Sequence, residues 1–290
     1  TVHDSDYGVR FDNVLARAAK ISRSQAKVLI DNGSAKINGH LAKANQKIQI
    51  NDSISWIFEK SLDEEPQAEE ISFGIIYEDE YLLAVNKPPN LIVHPGAGNS
   101  SGTLLNGLLF YSDIFSQVER CGIVHRLDKD TSGILIVAKS NYIRDKLQKQ
   151  FKSRTVSKSY LSIVNGRLKN NTQIENNIGR HPTNRKKQTV LNEGGRKAIS
   201  IIEIEEYFKY CSLVRVNILT GRTHQIRVHL AHIGHPIIGD LLYGKNKRTQ
   251  ILKDEIKRQM LHAFSLRIEH PITKKNLFLE APIPDDMKNI

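Results

Sequence analysis

The sequence predicts an α+β fold: a mixed, largely antiparallel sheet with flanking helices, preceded by a small α/β module. Three observations predict it. Strand-like segments follow one another between residues 75 and 280 with the short links that antiparallel neighbours allow. Helical spacing is confined to a few stretches, such as Ile143, Leu147 and Phe151 at intervals of four. An acidic stretch containing Pro66 and lacking apolar periodicity separates the beginning of the chain from the rest. The expected organisation is a module at 1–58, an acidic linker at 59–70 and a second domain at 71–290.

In the module, Phe11, Val14, Leu15 and Ala18 at helical spacing predict a helix over residues 12–19. Ser22 followed by Gln25 is a capping-box spacing that opens a second helix, with Val28, Leu29 and Ile30 on its apolar face. Gly33 sits where that helix would stop. Ala35-Lys36-Ile37, Asn38-Gly39 and His40-Leu41 read as strand, tight turn and strand, because Asn-Gly suits the positive φ angles of such turns. Ile48, Ile50, Ile54 and Trp56 alternate with polar residues about Asn51-Asp52 and predict another hairpin.

In the second domain, Ile75-Ile76-Tyr77 and Leu82-Leu83-Ala84-Val85 read as short strands about a Glu78-Asp79-Glu80 turn. Residues 134–138 form a strand of the buried type, and Ser140 caps the helix carrying Ile143, Leu147 and Phe151. Residues 155–164 make a strand with Tyr160 in its middle, and 200–207 with 212–219 make a strand pair. Thr220-Gly221-Arg222-Thr223 turns the chain into a helix over 224–233, stopped by Gly234. Residues 263–269 and 276–280 close the domain as a hairpin.

Composition bounds the function. Of 290 residues, 39% are hydrophobic and 25% charged, ordinary globular usage that argues against disordered and fibrous chains. The longest unbroken apolar run, residues 133–138, is far short of the ~20 residues of a membrane span. No basic-then-apolar stretch opens the sequence, so no secretory signal is expected. Cys121 and Cys211 make neither a disulfide framework nor a paired-cysteine zinc pattern, which suits the cytoplasm. The net charge of +11 favours a polyanionic partner. It divides into +3 on residues 1–58, −8 on 59–80 and +16 on 81–290. Cations between Lys139 and Lys158 and between Arg180 and Lys197 offer a broad basic surface for RNA or, taken singly, solvated faces.

The densest chemistry lies in His125-Arg126-Leu127-Asp128-Lys129-Asp130-Thr131-Ser132-Gly133. A carboxylate flanked by Arg126 and Lys129 stays ionised, as a nucleophile or general base requires. A polar turn before a strand, with Asp128 and Asp130 as turn formers, accounts for the same residues without chemistry. His224, His229, His232 and His235 crowd one segment, but only His229 and His232 share a helix face. No cysteine lies nearby and HExxH is absent, so no metal is expected. A Gly-rich dinucleotide loop and a GxxxxGK[ST] loop are also absent, so no nucleotide cofactor is expected.

Two resemblances turn these residues into a function. Val9-Arg10-Phe11-Asp12, Leu15, Ser22-Arg23-Ser24-Gln25-Ala26, Leu29-Ile30, Gly33 and Ile37-Asn38-Gly39 resemble the S4 RNA-binding fold over residues 7–57. That implies RNA contact from the basic face of the second helix, Arg23 and Lys27; a merely solvated face is the alternative for each. The segment 125–133 resembles the HRLDxxTSG signature of the RluA-type pseudouridine synthases. It is joined in order by Asn86-Lys87-Pro88, Lys158-Ser159-Tyr160, Gly221-Arg222-Thr223-His224-Gln225-Ile226-Arg227-Val228-His229 and Gly234-His235-Pro236-Ile237-Ile238-Gly239-Asp240. The resemblance spans 75–283 and departs only slightly, at Pro89-Asn90.

The second resemblance implies a cofactor-free isomerisation in which uracil is detached at N1, rotated and rejoined to ribose through C5. Asp128 is implied as the essential carboxylate, attacking C6 or C1′ or removing a sugar proton. Arg227 is implied as its cationic partner and Tyr160 as the aromatic that stacks on the base. Arg126 is implied to fill the space left by an extruded base. Arg222 and His125 join it among the RNA-binding residues, His125 supporting the turn rather than moving protons. Within the family, residues 93–99 and 102–106 look most like members acting on large-subunit ribosomal RNA. That implies 23S RNA, its helix 69 stem-loop in particular, met as naked RNA or in an assembling subunit by a cytoplasmic monomer. The alternatives are the same chemistry at another ribosomal or transfer RNA site, and a noncatalytic RNA-binding assembly factor.

Overall fold

Local turn chemistry builds the first of two units. The computed structural model describes residues 6–19, 21–57, 66–96, 99–244, 256 and 258–289, and the chain divides into Thr1–Glu65 and Pro66–Ile290. Of the expected acidic linker at 59–70, residues 59–65 lie outside the described residues, as do Ala97 and Gly98.

The first unit contains α1 (Phe11–Ala18), α2 (Arg23–Asp31), β1 (Ala35–Ile37), β2 (His40–Leu41) and β3 (Ile54–Trp56), with strand order β2-β1-β3. The capping box forms: Gln25 N–H donates to Ser22 Oγ at 3.3 Å and Ser22 N–H to Gln25 Oε1 at 2.9 Å. Asn38 and Gly39 turn the chain with φ of 50° and 78°. Phe11, Leu15, Ala26, Ala35 and Ile48 form a fully buried core.

The hairpin expected about Asn51-Asp52 does not form. The Asp52 carboxylate accepts Gln49 N–H and an Asn38 amide proton, each at 2.7 Å, and Asn38 Oδ1 accepts Ser53 N–H at 2.7 Å. These bonds tie residues 49–53 to the Asn-Gly turn. Consequently β3 pairs with β1, Ile54 opposite Ile37, and Ile48 turns into the core against Val9.

The second unit is built on ten strands: β4 (Gly74–Glu78), β5 (Leu82–Lys87), β6 (Ser132–Ala138), β7 (Ser157–Asn165), β8 (Thr172–Arg180), β9 (Gln188–Leu191), β10 (Arg196–Tyr207), β11 (Cys211–Ile218), β12 (Leu261–Glu269) and β13 (Asn276–Glu280). Their order is β4-β5-β6-β12-β7-β11-β10-β8-β9, with β13 also on β12. Among the strand pairs of the described residues only β6–β12 is parallel, so the sheet is largely antiparallel as expected.

Helices cover both faces of its β5–β6 part. Leu83, Val85, Leu135 and Val137 pack under α3 (Leu104–Tyr111), while Leu82, Ala84, Ile134 and Ile136 pack under α4 (Asn141–Ser153). This two-sided cover explains why β6 is buried throughout and, after Ser132, apolar rather than alternating. α5 (Gln225–His232) lies against the β7–β11 part through Ile226 and Leu230, and α6 (Asp285–Lys288) follows β13.

Candidate active site

The turn ahead of β6 hangs from buried side chains far away in sequence. Lys87, fully buried at the end of β5, donates from Nζ to Pro88 O, Leu91 O and Lys129 O at 2.8–2.9 Å. Burial pushes its pKa down to about 7 against the opposing pull of Asp130 and Asp128. Arg258 Nη1 donates to Asp130 O at 3.2 Å, and the rest of its guanidinium grips Asp286 of α6 at 2.6 and 2.8 Å. Gln259 donates to Thr131 Oγ1 at 2.9 Å, and Ser132 Oγ lies 2.9 Å from His262 Nδ1. Four consecutive residues after Asp128 are thus each held from outside the turn. Gly133 completes it: φ is 107°, and a Cβ there would stand 2.2 Å from Ala263 O. Only glycine lets β6 approach β12 so closely.

Asp128, leaving that turn, meets Arg227 from α5. Arg227 Nη1 donates to Asp128 Oδ2 at 2.9 Å, while Nε and Nη2 form a fork with Asp240 at 2.7 and 3.0 Å. The Asp240 side chain is fully buried and also accepts the backbone N–H groups of Leu242 and Tyr243. Arg227 is thereby wedged between two carboxylates. They raise its pKa against the opposing effect of burial, so it stays a cation.

Sheet register brings in the aromatic. Ala263 of β12 pairs with Gly133 on one side and with Tyr160 of β7 on the other, so Tyr160 stands in the same row as the end of the turn. Burial, and then the Asp128 carboxylate, raise the Tyr160 pKa, so its phenol stays protonated. Among the described residues its hydroxyl has no hydrogen-bond partner.

Asp128, Arg227 and Tyr160 line one cleft of about 540 Å³ together with Arg126, Lys158 and Arg222. That volume falls in the ~300–1,000 Å³ range of small-ligand sites. Arg126 is exposed at the cleft, and Arg222 donates from Nε to Lys197 O at 3.0 Å. Gln225 fixes the turn before α5: its Oε1 accepts from Thr220 Oγ1 and Arg222 N–H, and its amide donates to Ile199 O and Ser200 Oγ.

His125 also faces the cleft but has a fixed task. Its Nε2 accepts Ile136 N–H at 2.9 Å, its ring stacks on Phe151 at 4.7 Å, and burial pushes its pKa down to about 3. A neutral imidazole tied to β6 braces the turn. The remaining RNA-binding candidates belong to the first unit. There Arg23 donates from Nε to Asp12 at 3.1 Å, and Lys27 pairs with Asp31.

Several residues that build the site carried no role in the sequence reading. Lys87 and Asp240 stand inside quoted segments, yet their spacing does not reveal what they hold. Arg258, Gln259 and His262 lie outside the family motifs. The available signal was polar residues threaded through the apolar Met260, Leu261 and Ala263, since a buried polar group requires a partner.

Comparison with known proteins shows the family of the chain. Residues 81–232 match the RNA pseudouridylate synthase family and residues 9–54 the S4 domain. A ribosomal large subunit pseudouridine synthase D of Vibrio parahaemolyticus is 39% identical, with 99% of this chain and 91% of that protein aligned. The protein of the same name from Nitrosomonas europaea is 41% identical, with 99% and 85% aligned. Among solved structures, human RNA pseudouridylate synthase domain containing 1 superposes with a TM-score of 0.61 and 29% identity. The superposition covers 74% of this chain and 85% of that one.

Proposed function

Because the chain belongs to the RNA pseudouridylate synthase family, we propose that it isomerises uridines of large-subunit ribosomal RNA, with Asp128 as the acting carboxylate. The likeness to proteins named for the large ribosomal subunit supports that substrate class. Within it we assign the helix 69 stem-loop, on the likeness of residues 93–99 and 102–106. The two buried free thiols, Cys121 and Cys211, suit action in the cytoplasm.

One observation carries the reading: a carboxylate pinned by a buried arginine at the wall of a cation-lined cleft large enough for one extruded nucleotide. The reaction breaks the N1–C1′ bond, forms C5–C1′, and moves the C5 proton off the ring while N1 gains one. Arg227 orients Asp128 through Oδ2. Tyr160 stacks on the base as a neutral phenol. Arg126, exposed at the cleft and without a carboxylate partner among the described residues, is free to occupy the gap in the RNA.

The test is tritium release from ribosomal RNA labelled at uridine C5. Asp128→Asn should cut release by ~10³-fold or more while RNA binding persists. Undiminished release by that variant would remove Asp128 from the chemistry. Pseudouridine mapping in RNA from a deletion strain then tests the helix 69 assignment.

A further inference from the structure

His224 holds a backbone conformation that non-glycine residues seldom take. It precedes α5 with φ 56° and ψ 18°, in the left-handed region, and such outliers gather where function over-determines them. Its ring is bounded on both sides. Nδ1 lies 2.9 Å from Tyr243 Oη, and Tyr243 Oη accepts Gln188 N–H at 2.8 Å. With that donor in place, the phenol proton has one acceptor among the described residues, His224 Nδ1. An imidazole proton on Nε2 satisfies all three groups at once, with Nδ1 accepting the phenol proton. Nε2 lies 3.8 Å from Asp128 Oδ2, the same oxygen that accepts Arg227 Nη1.

Tyr243 ties these groups together. Its ring meets His224 edge-on at 5.7 Å, the Arg227 guanidinium lies 5.1 Å from its centroid, and its N–H donates to Asp240. Asp128 Oδ1, by contrast, has no hydrogen-bond partner among the described residues. Among the described residues the carboxylate thus has Oδ2 facing Arg227 and the His224 ring, and Oδ1 without a partner.

We propose that His224 is a positioning residue: held as its Nε2–H tautomer by Tyr243, it closes onto Asp128 Oδ2 when the nucleotide enters, leaving Oδ1 as the reacting oxygen. Entry of a base excludes water, which strengthens the contact, and hydrogen bonds that are long in a free enzyme shorten in its complex. The assignment rests on Asp128 being the acting carboxylate.

The test uses His224→Ala, His224→Gln, Tyr243→Phe and the double variant His224→Gln with Tyr243→Phe, all in the full chain, reading kcat and KM separately by C5-tritium release. His224→Ala should lower kcat ~10–100-fold with KM little changed. His224→Gln, whose amide donates without needing a tautomer, should restore most of that loss. Tyr243→Phe should lower kcat ~10-fold when His224 is intact and hardly at all when combined with His224→Gln, a non-additivity that a merely structural role does not produce. Additive penalties, or unchanged kcat in His224→Ala, would overturn the proposal. If the alanine variant fails to fold, the cycle of His224→Gln and Tyr243→Phe decides alone. Full release by Asp128→Asn would instead sink the reading beneath it, so the two failures are distinct.

Discussion

On α2 of the first unit Arg23 bonds Asp12 and Lys27 pairs with Asp31, whereas around the cleft of the second unit the cations other than Arg227 stand without carboxylates among the described residues. Among the described residues, Arg126, Arg154, Lys158 and Arg196 have no acidic partner, and Arg222 bonds only a carbonyl. The cleft cations also oppose one another. Arg222 is pushed below the ordinary arginine pKa by burial and then by Arg196 and Arg154, and Lys158 by burial and then by Arg222. A paired cation has part of its charge already met before a phosphate arrives. A crowd of unpaired ones gains as soon as a polyanion arrives. The number of basic residues in a segment is therefore a poor guide to its RNA footprint; their pairing is a better one.

Arg227 is the exception in the cleft, paired on both sides, and removing its buried partner should have the largest effect. Asp240→Ala leaves a desolvated guanidinium with Asp128 alone and should cost about 3–5 kcal/mol in urea unfolding, together with most of the tritium release. A loss below about 1 kcal/mol would show that Arg227 does not depend on Asp240.

Acid should separate the two units next. In the second unit His229 and His262, fully buried, and His125, half-buried at the cleft, are depressed to about 4, 4 and 3, so they fold neutral. The unfolded chain takes up protons below its histidine pKa of ~6.5 while the fold does not, so stability is lost as pH falls from there towards 4. At ~1.4 kcal/mol per pKa unit the three together can cost the second unit up to about 9 kcal/mol over that window. The first unit should hold until lower pH, because its buried Asp12 is kept below the ordinary carboxylate range, mainly by Arg10 and also by Arg23. Thermal melts across that window, followed separately for each unit, check the order of loss.

The salt dependence of RNA binding sharpens the comparison directly. Replacing Arg126, Arg154 and Arg196 together by alanine should weaken binding ~10–100-fold and flatten the log–log salt slope by ~2. Arg23→Ala with Lys27→Ala should change that slope by less than ~1. A larger change from the α2 pair than from the cleft trio would reverse the conclusion drawn from their pairing.

Much of the fold was legible because its signals are short-ranged. The Ser22–Gln25 box, the Asn38-Gly39 turn, the apolar run of β6 and the Ser140 cap each depend on neighbours a few residues away. α3 escaped notice because Leu104-Leu105-Asn106-Gly107-Leu108-Leu109-Phe110-Tyr111 is apolar nearly all round and lacks a helical stripe. β8, with Asn176, Asn177 and Gly179, carries weak strand propensity, and its pairing with β10 holds it.

The site divides in the same way. The sequence alone determined the chemical identities: a carboxylate at Asp128, a guanidinium at Arg227, a phenol at Tyr160, and the motif that links them to pseudouridine chemistry. Tertiary structure alone decided their partners. Asp128 and Arg227 are 99 positions apart, and Ser132 and His262 are 130 apart. Only the β6–β12–β7 register and the need of buried polar groups for partners bring such residues within reach. Backbone preference acts over one turn of chain, whereas desolvation acts on whatever the fold has brought together, and the carboxylate behind Arg227 belongs to the second.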